Sequence, residues 1–196
     1  MFKKVALALS AVFASASFAY DLSAFHKAVD AKTLATRVFG EVSAQGLGWK
    51  IGDKADYSLD LGGFLKGTMN MFVREETSEG VWLEQDIDIQ VQQSKVETLF
   101  DKETGQVKKV LVDGQEQKLE PGKPGDQEIV ESRPDTVQVP AGDFECSYIK
   151  IHDKAQNSDT ELWLNPDIIP IVGLIKQISQ SQFGPVTLEL TSFDKK

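Results

Sequence analysis

Hydrophobic and polar positions change their spacing near Trp49 and divide the chain into two unequal parts. From Asp21 to Gln45, apolar residues recur mostly every three to five positions, the spacing of one amphipathic helix or of two short ones. After Trp49 they alternate with polar residues, which is typical of strands with one buried face. The clearest such segment places Val81, Leu83, Gln85, Ile87, Ile89 and Val91 on one face, and Trp82, Glu84, Asp86, Asp88 and Gln90 on the other.

Turn signals separate the alternating segments and join them as neighbours. Asp113-Gly114 is a strong hairpin signal, and Gly62-Gly63 and Thr104-Gly105 mark further turns. About ten strands follow the helical segment on this basis. Because neighbouring strands twist by about 20–25°, a sheet of this size curls. The sequence therefore predicts a mainly β fold, a long antiparallel meander curled into an open half-barrel or a barrel, with an N-terminal helical segment at about residues 21–45.

The first residues of the chain have the composition of a secretory signal peptide. Lys3 and Lys4 precede the apolar run from Val5 to Phe13, and small residues follow as far as Ala19. The run is too short to span a hydrocarbon core of about 30 Å. We expect cleavage after Ala19, or after the similar small residues that end at position 16. The predicted product is a single β-rich domain, residues 20–196, that is periplasmic or secreted and does not span a membrane.

The charge of the chain excludes one class of partner. The formal net charge is −9, and removal of Lys3 and Lys4 with the signal peptide changes it to −11. Such a balance repels phosphate backbones, so nucleic acid is not an expected partner. Cys146 is the one cysteine in the sequence, so no disulfide forms within the chain, and we expect it to pack as a small apolar residue.

Catalytic groups are few. The two histidines are His26 and His152, and Cys146 lies six residues before His152 on one predicted strand, which places them about 20 Å apart. This excludes a direct thiolate–imidazole pair. Carboxylates at Glu84, Asp86 and Asp88 share one strand face and could hold calcium weakly, but the stronger explanation is that charged residues on the solvent face of a strand keep the protein soluble and deter sheet pairing. We therefore predict no enzyme activity, no metal and no cofactor.

The segment around residues 166–173, between two predicted strands, is apolar, and its side chains need a surface to pack against. Its prolines, Pro166 and Pro170, exclude regular structure, yet it carries several isoleucines. These either close one end of the sheet or form an apolar lip for a ligand or a partner. Methionines on a nearby strand would suit flexible apolar ligands. The candidate ligand-binding residues are Met69, Met71, Trp82, Ile168, Ile169 and Ile171.

Two stretches resemble a known family of exported bacterial β-domains. One is Val139-Pro-Ala-Gly-Asp-Phe-Glu-Cys146, of the form VPAG-x-F-x-C. The other is Trp163-x-x-Pro166 followed by Pro170-Ile171-x-Gly173-Leu-Ile-Lys176. Trp49-Lys-Ile-Gly-Asp53 is similar to the opening strands of such domains. The resemblance implies the architecture of the open half-barrels of the lipoprotein carriers LolA and LolB, which cradle acyl chains between a sheet and helices.

Two functional hypotheses follow. In the first, the protein is a non-enzymatic binding protein, and the concave face of its sheet holds an apolar or amphipathic ligand such as a lipid or an acylated protein. In the second, the core is filled and the protein acts in the envelope or outside the cell as an interaction or structural protein. The apolar loop at residues 166–173 is then the contact surface for a protein partner.

Overall fold

The protein forms one antiparallel sheet of eleven strands in the computed structural model. The structure describes residues 47–63, 65–89, 93–105, 107–117, 127–154, 157–181 and 184–196. The strands are β1 (Lys54–Leu61), β2 (Leu65–Thr77), β3 (Gly80–Asp88), β4 (Gln93–Phe100), β5 (Val107–Val112), β6 (Gln115–Glu116), β7 (Gln127–Val139), β8 (Gly142–Asp153), β9 (Ser158–Leu164), β10 (Leu174–Ser181) and β11 (Gly184–Asp194). No helix occurs within these ranges.

The first and last strands lie side by side in the middle of the sheet. The strand order is β6-β5-β4-β3-β2-β1-β11-β10-β9-β8-β7, and neighbouring strands are antiparallel throughout. The chain therefore consists of two meanders that share the β1–β11 pairing. One runs outward from β1 to the edge strand β6, and the other runs from the opposite edge strand β7 inward to β11.

The sheet is open, and its width requires that it curve. The edge strands end at Glu116 and begin at Gln127, so the chain between them spans at most about 40 Å. Ten strand spacings of about 4.8 Å would make a flat sheet about 48 Å wide. The connection can join the two edges only if they approach each other, so the sheet is curved. The prediction of a mainly β, antiparallel fold is confirmed. The sheet does not close into a barrel.

One face of the sheet carries the hydrophobic core, and we call it the core face. Side chains reach it through alternation, as in β2, where Met69, Met71 and Val73 are buried and the residues between them are not. At the start of β10 an irregularity in the pairing brings two consecutive residues, Leu174 and Ile175, into the core. The other face is called the outer face. The core face also takes Ala55, Tyr57, Val81, Leu83, Ile87, Ile89, Val96, Phe100, Val110, Ile149, Ile151, Leu162, Leu164, Leu174, Ile175, Leu188 and Leu190.

The tip of the β7–β8 hairpin, residues 134–146, extends beyond β9 and folds back toward the middle of the sheet. Strand β9 pairs with β8 only from Ser147 onward. Beyond that point the backbone N–H of Ala141 donates to the carbonyl of Leu190 in β11 (3.0 Å). The ring of Phe144 meets that of Phe193 edge-on, with 6.3 Å between centroids. Val137 and Val139 join the core there, so the hairpin tip closes part of the β11 side of the core.

The β9–β10 loop, residues 165–173, is held by its own backbone and by one asparagine. The N–H of Asn165 donates to the carbonyl of Gly173 (2.7 Å), and its side-chain Oδ1 accepts from the N–H groups of Asp167 and Ile168. The N–H of Ile169 donates back to the Asn165 carbonyl (3.0 Å). This asparagine-centred turn is what the Asn-Pro pair favours, and it directs the loop back against the core.

Several sequence predictions are confirmed and others are refined. The Asp113-Gly114 hairpin forms, and its second strand is Gln115–Glu116. Strand β7 continues through Pro134, since it is an edge strand and proline is tolerated at a sheet edge. Strand β4 was not predicted, because Gln93, Ser94 and Lys95 give its first half no apolar alternation. The signal peptide and the helical segment at 21–45 lie outside the described residues.

Candidate functional site

Two methionines lie side by side at the middle of the core face. Met69 stands opposite Tyr57 in β1 and Ile87 in β3, and Met71 stands opposite Ala55 and Gln85 in the same two strands. Both methionines are buried. Unbranched thioether side chains adapt to irregular shapes, so this is the part of the core that repacks most easily.

Next to the methionines, two buried side chains each have a polar atom without a hydrogen-bond partner. Gln85 in β3 is 2% exposed and Thr98 in β4 is 1% exposed. Gln85 stands opposite Val96, and Thr98 stands opposite Leu83, so the two polar residues are diagonal neighbours on the core face. Neither Gln85 Nε2 nor Thr98 Oγ1 finds an acceptor or donor. Buried polar groups are nearly always paired, and an unpaired one costs about 1–3 kcal/mol.

The β9–β10 loop brings two of its isoleucines into the same core. Ile169 is fully buried and Ile171 is nearly so, whereas Ile168 at the loop tip is 46% exposed. Ile171 has a φ of +64°, which a β-branched residue rarely adopts. Its carbonyl accepts from the indole N–H of Trp49 (2.7 Å), and the Trp49 ring meets Phe100 edge-on at 5.0 Å between centroids. The strained residue is thus held by burial and by one indole hydrogen bond.

The structure brings together four of the six predicted ligand-binding residues. Met69, Met71, Ile169 and Ile171 belong to one core cluster. Ile168 points to solvent at the loop tip. Trp82 lies on the outer face, because alternation along β3 sends the neighbouring Leu83 to the core. The structure therefore places the tryptophan with a different set of residues from the methionines.

Trp82 belongs to a network of charges on the outer face. The guanidinium of Arg74 lies over its ring, with 5.3 Å to the ring centroid. Arg74 forms ion pairs with Glu84 and Glu97, and Lys95 pairs with Glu84. Glu84, one of the carboxylates considered as a weak calcium ligand, is thus held between two cations. Among the described residues, no three His, Cys, Asp or Glu side chains are arranged to hold a metal ion.

A second row of side chains crosses the outer face of β7 to β10. Arg133, Tyr148, Trp163 and Lys176 stand directly opposite one another on successive strands. The Arg133 guanidinium lies 4.3 Å from the Tyr148 ring centroid, the two aromatic rings meet edge-on at 5.1 Å, and Lys176 Nζ lies 5.7 Å from the Trp163 ring centroid. Cation–aromatic and aromatic contacts of this kind stabilise the pairing of neighbouring strands.

Asp135 connects this row to the hairpin tip. Its Oδ2 accepts from the indole N–H of Trp163 (3.0 Å) and pairs with Arg133 (3.0 Å). The Trp163 hydrogen bond is the largest effect and lowers the pKa of the Asp135 carboxyl. Desolvation opposes it, and the Thr136 N–H and Arg133 lower the pKa further. The carboxylate is therefore ionised throughout the physiological range and serves as a fixed acceptor.

A surface groove of about 700 Å³ separates the hairpin tip from the β9–β10 loop. It forms where β8 parts from the end of β9, and the side-chain amide of Asn165 crosses it to donate to the Glu145 carbonyl (2.8 Å). The two stretches that carry the family resemblance meet here. The lining residues are Pro134, Asp135, Thr136, Glu145, Cys146, Ser147, Leu164, Asn165, Pro166 and Asp167.

Cys146 and His152 lie apart, as the strand spacing predicts. Desolvation raises the pKa of the Cys146 thiol, and its Sγ lies 3.5 Å from the Asp135 carbonyl. A raised pKa leaves little thiolate, which is the nucleophilic form. His152 Nδ1 lies 2.8 Å from Asp159 Oδ1 across the β8–β9 pairing. His26 lies outside the described residues.

Sequence reasoning missed the two unpaired polar side chains. Gln85 stood out as the one polar residue in the apolar set of β3, a signal that could have marked it. Thr98 belongs to β4, which was not predicted, so nothing in the sequence placed it on the core face. Their proximity depends on the β3–β4 register, which only the structure supplies.

Comparisons with known proteins bear on the fold. No protein-family model matches the chain, and no curated protein matches its sequence.

Within the part of the chain that the structure describes, no helix has the length and apolar character needed to cross a membrane.

Solved structures do resemble it. The hypothetical protein CT021 from Chlamydia trachomatis has a TM-score of 0.50 at 10% identity, with 76% of this chain and 89% of that chain covered. A Bacteroides fragilis protein described as exported, with a YmcC-like fold, has a TM-score of 0.42 at 13% identity, with 78% and 100% covered. A chain in the structure of the MucA/MucB complex from Pseudomonas aeruginosa has a TM-score of 0.44 at 14% identity, with 73% of this chain and 51% of that chain covered. The likeness to the Chlamydia protein shows a shared fold.

Proposed function

We propose that this protein is an exported, non-enzymatic binding protein whose core face holds an apolar or amphipathic molecule such as a lipid or an acyl chain. One observation carries the proposal: the apolar face runs from β5 across the open, curved sheet to β7 and has Met69 and Met71 near its middle. The core face of an open sheet can separate from the segments packed on it and admit a ligand, whereas the interior of a closed barrel cannot open in this way. Methionines then repack around a flexible guest.

The energetics favour a long apolar chain over a small molecule. Each methylene group buried from water contributes about 0.8 kcal/mol. The affinity should therefore rise with chain length, roughly fourfold for each methylene group. The signal-peptide features of residues 1–19 support export to a compartment where lipids and acylated proteins are found.

Native mass spectrometry of the mature protein tests the proposal. The protein is exported by a bacterial host, purified without detergent, weighed in its folded state, and then extracted with organic solvent for lipid analysis. We expect a stoichiometric additional mass that extracts as a lipid. A clean apo mass, also after incubation with fatty-acid methyl esters of increasing length, would contradict the proposal.

Two matched variants locate the ligand. Met69→Gln puts a polar group on the core face and should lower the retained lipid severalfold. Trp82→Gln introduces the same side chain on the outer face and should leave the amount of retained lipid unchanged. Both variants are compared by thermal unfolding, so that a loss of ligand is counted only in a protein that still unfolds cooperatively.

The exposure of Ile168 favours a second function. It is the apolar side chain that the β9–β10 loop presents to solvent, while Ile169 and Ile171 are buried in the core. In this alternative the core is filled, and the loop at residues 166–173 contacts a protein partner or a second copy through Ile168. This alternative would be supported if the protein carries no ligand and native mass spectrometry shows a dimer or a defined complex that the Ile168→Ser variant no longer forms.

A further inference from the structure

We infer that Gln85 and Thr98 form a polar recognition site within the core face for the neutral acyl carbonyl of an ester or an amide. The inference rests on the proposed function and names the chemical group that the bound molecule must carry. Its basis is the pair of buried, unpartnered atoms Gln85 Nε2 and Thr98 Oγ1 on neighbouring strands.

The spacing of the two residues suits one shared acceptor. Diagonal neighbours on an antiparallel pair have Cα atoms about 7–8 Å apart, within reach of a long side chain. The amide of Gln85 and the hydroxyl of Thr98 both carry a donor hydrogen. A carbonyl oxygen has two lone pairs and can accept from both at once. One oxygen between the two side chains would remove the cost of both unpaired groups.

The surroundings supply the apolar part of the site. Gln85 stands opposite Met71 in β2 and Val96 in β4, and Thr98 stands opposite Leu83 in β3 and Val110 in β5. The polar pair therefore has apolar side chains on every neighbouring strand. This arrangement fits a hydrocarbon chain with a single internal polar group.

The charge of the core face excludes an ionised carboxylate. Among the described residues, the buried polar or charged side chains are Asp53, Glu84, Gln85, Thr98 and Gln177. None of them is a cation, and an unpaired carboxylate costs far more to bury than a neutral carbonyl. An ester carbonyl would come from a glycerolipid, and an amide carbonyl from an amide-linked acyl chain.

The experiment compares probes that differ in one group. Phosphatidylcholine vesicles are loaded with labelled hexadecane, methyl palmitate or N-methylpalmitamide, and the label that the mature protein extracts is counted after the vesicles are removed. The double variant Gln85→Met, Thr98→Val replaces both polar groups with apolar groups of similar size. Gln177→Met is the matched control: it makes the same change on the core face in β10, about 19 Å away across the sheet.

The measured quantity is the ratio of carbonyl probe to hexadecane extracted, compared between proteins. We expect the double variant to lower this ratio by about three- to tenfold relative to the wild type, the effect of a lost hydrogen bond, while hexadecane uptake is retained. Gln177→Met should keep the wild-type ratio. The carbonyl probe whose extraction ratio falls more in the double variant identifies the linkage of the natural ligand as an ester or an amide.

Two other outcomes overturn the inference and differ from each other. If all proteins extract the three probes in the same ratio, the two polar atoms serve no ligand, although the proposed function stands. If the wild type extracts none of the probes, the proposed function fails as well. The double variant is expected to be at least as stable as the wild type without ligand, because it removes two unpaired polar groups, and urea unfolding checks this.

Discussion

Gly173 shows how a single residue fixes the path of the β9–β10 loop. Its φ is +73°, and a Cβ atom built on it would lie 2.5 Å from the backbone nitrogen of Pro166. Two separate constraints therefore require glycine: the left-handed backbone and the close approach of the loop to itself. Pro166 is held close to Gly173, because the preceding Asn165 N–H donates to the Gly173 carbonyl and Lys195 Nζ donates to the carbonyls of Pro166 and Asp167.

The variant Gly173→Ala should lower the free energy of unfolding by more than about 3 kcal/mol, because strain and steric overlap add. Gly114→Ala is its control. Gly114 has a similar φ of +77° but nothing within 4 Å of the added Cβ, so only the backbone penalty of about 1–2 kcal/mol applies. Urea unfolding of both variants measures the difference. Equal losses would show that the contact with Pro166 is not what requires glycine.

At the scale of elements, the β9–β10 loop and the segment before β1 stabilise each other. Two residues of this segment form hydrogen bonds with distant parts of the chain. The N–H of Leu47 donates to the Lys102 carbonyl (2.9 Å), and the indole N–H of Trp49 donates to the Ile171 carbonyl. Ile171 is strained, and strained residues persist only when their surroundings hold them. The loop should therefore open first when this contact is lost.

Removal of the indole donor tests this coupling. Trp49→Phe leaves the Ile171 carbonyl without its partner and should cost about 1–3 kcal/mol. The amides of Ile169 and Gly173, which donate within the loop, should exchange with deuterium markedly faster than in the wild type. Trp82→Phe changes a tryptophan of the outer face and should leave these two amides unaffected. Unchanged loop exchange in Trp49→Phe would show that the loop is held by other contacts.

The sequence predicted individual elements well and their placement less well. Alternation identified β3 and the faces of its residues from Val81 to Ile87, because one face is apolar and the other charged. It could not show that β1 pairs with β11, since strands so far apart in sequence leave no local signal. For the same reason the candidate site was only partly predicted: Met69 and Met71 were named, whereas the Gln85–Thr98 pair depends on cross-strand register.

At the scale of the whole molecule, the β1–β11 pairing joins the two halves of the sheet, the meander β1–β6 and the meander β7–β11. Besides its backbone ladder, Thr191 and Ser192 donate their hydroxyls to Asp56, at 3.0 and 2.8 Å. Tyr57 OH donates to the Leu174 carbonyl (3.1 Å), which ties β1 to β10 as well. The covalent link between the halves, by contrast, is the chain between Gln117 and Gln127.

Cleavage of that link should leave the protein assembled. With a specific protease site inserted between Gln117 and Gln127, the cut halves, β1–β6 and β7–β11, should elute together and give one mass in native mass spectrometry. The reason is that they share a continuous ladder and one core. The uncut protein with the same insertion is the control. Separate elution of the halves would mean that the link, not the pairing, holds the molecule together.

The central position of β1 also has a consequence for the order in which the chain is completed. A polypeptide leaves the ribosome, or an export channel, with its N-terminal part first, so β1 to β6 emerge while the partner of β1 is still missing. Until β11 follows, β1 is an exposed edge with unpaired backbone groups, the kind of surface that invites pairing with other chains. The finished sheet can form only after the last strand has emerged, so the half-made protein exposes a long strand, β1, that the finished one covers on both sides.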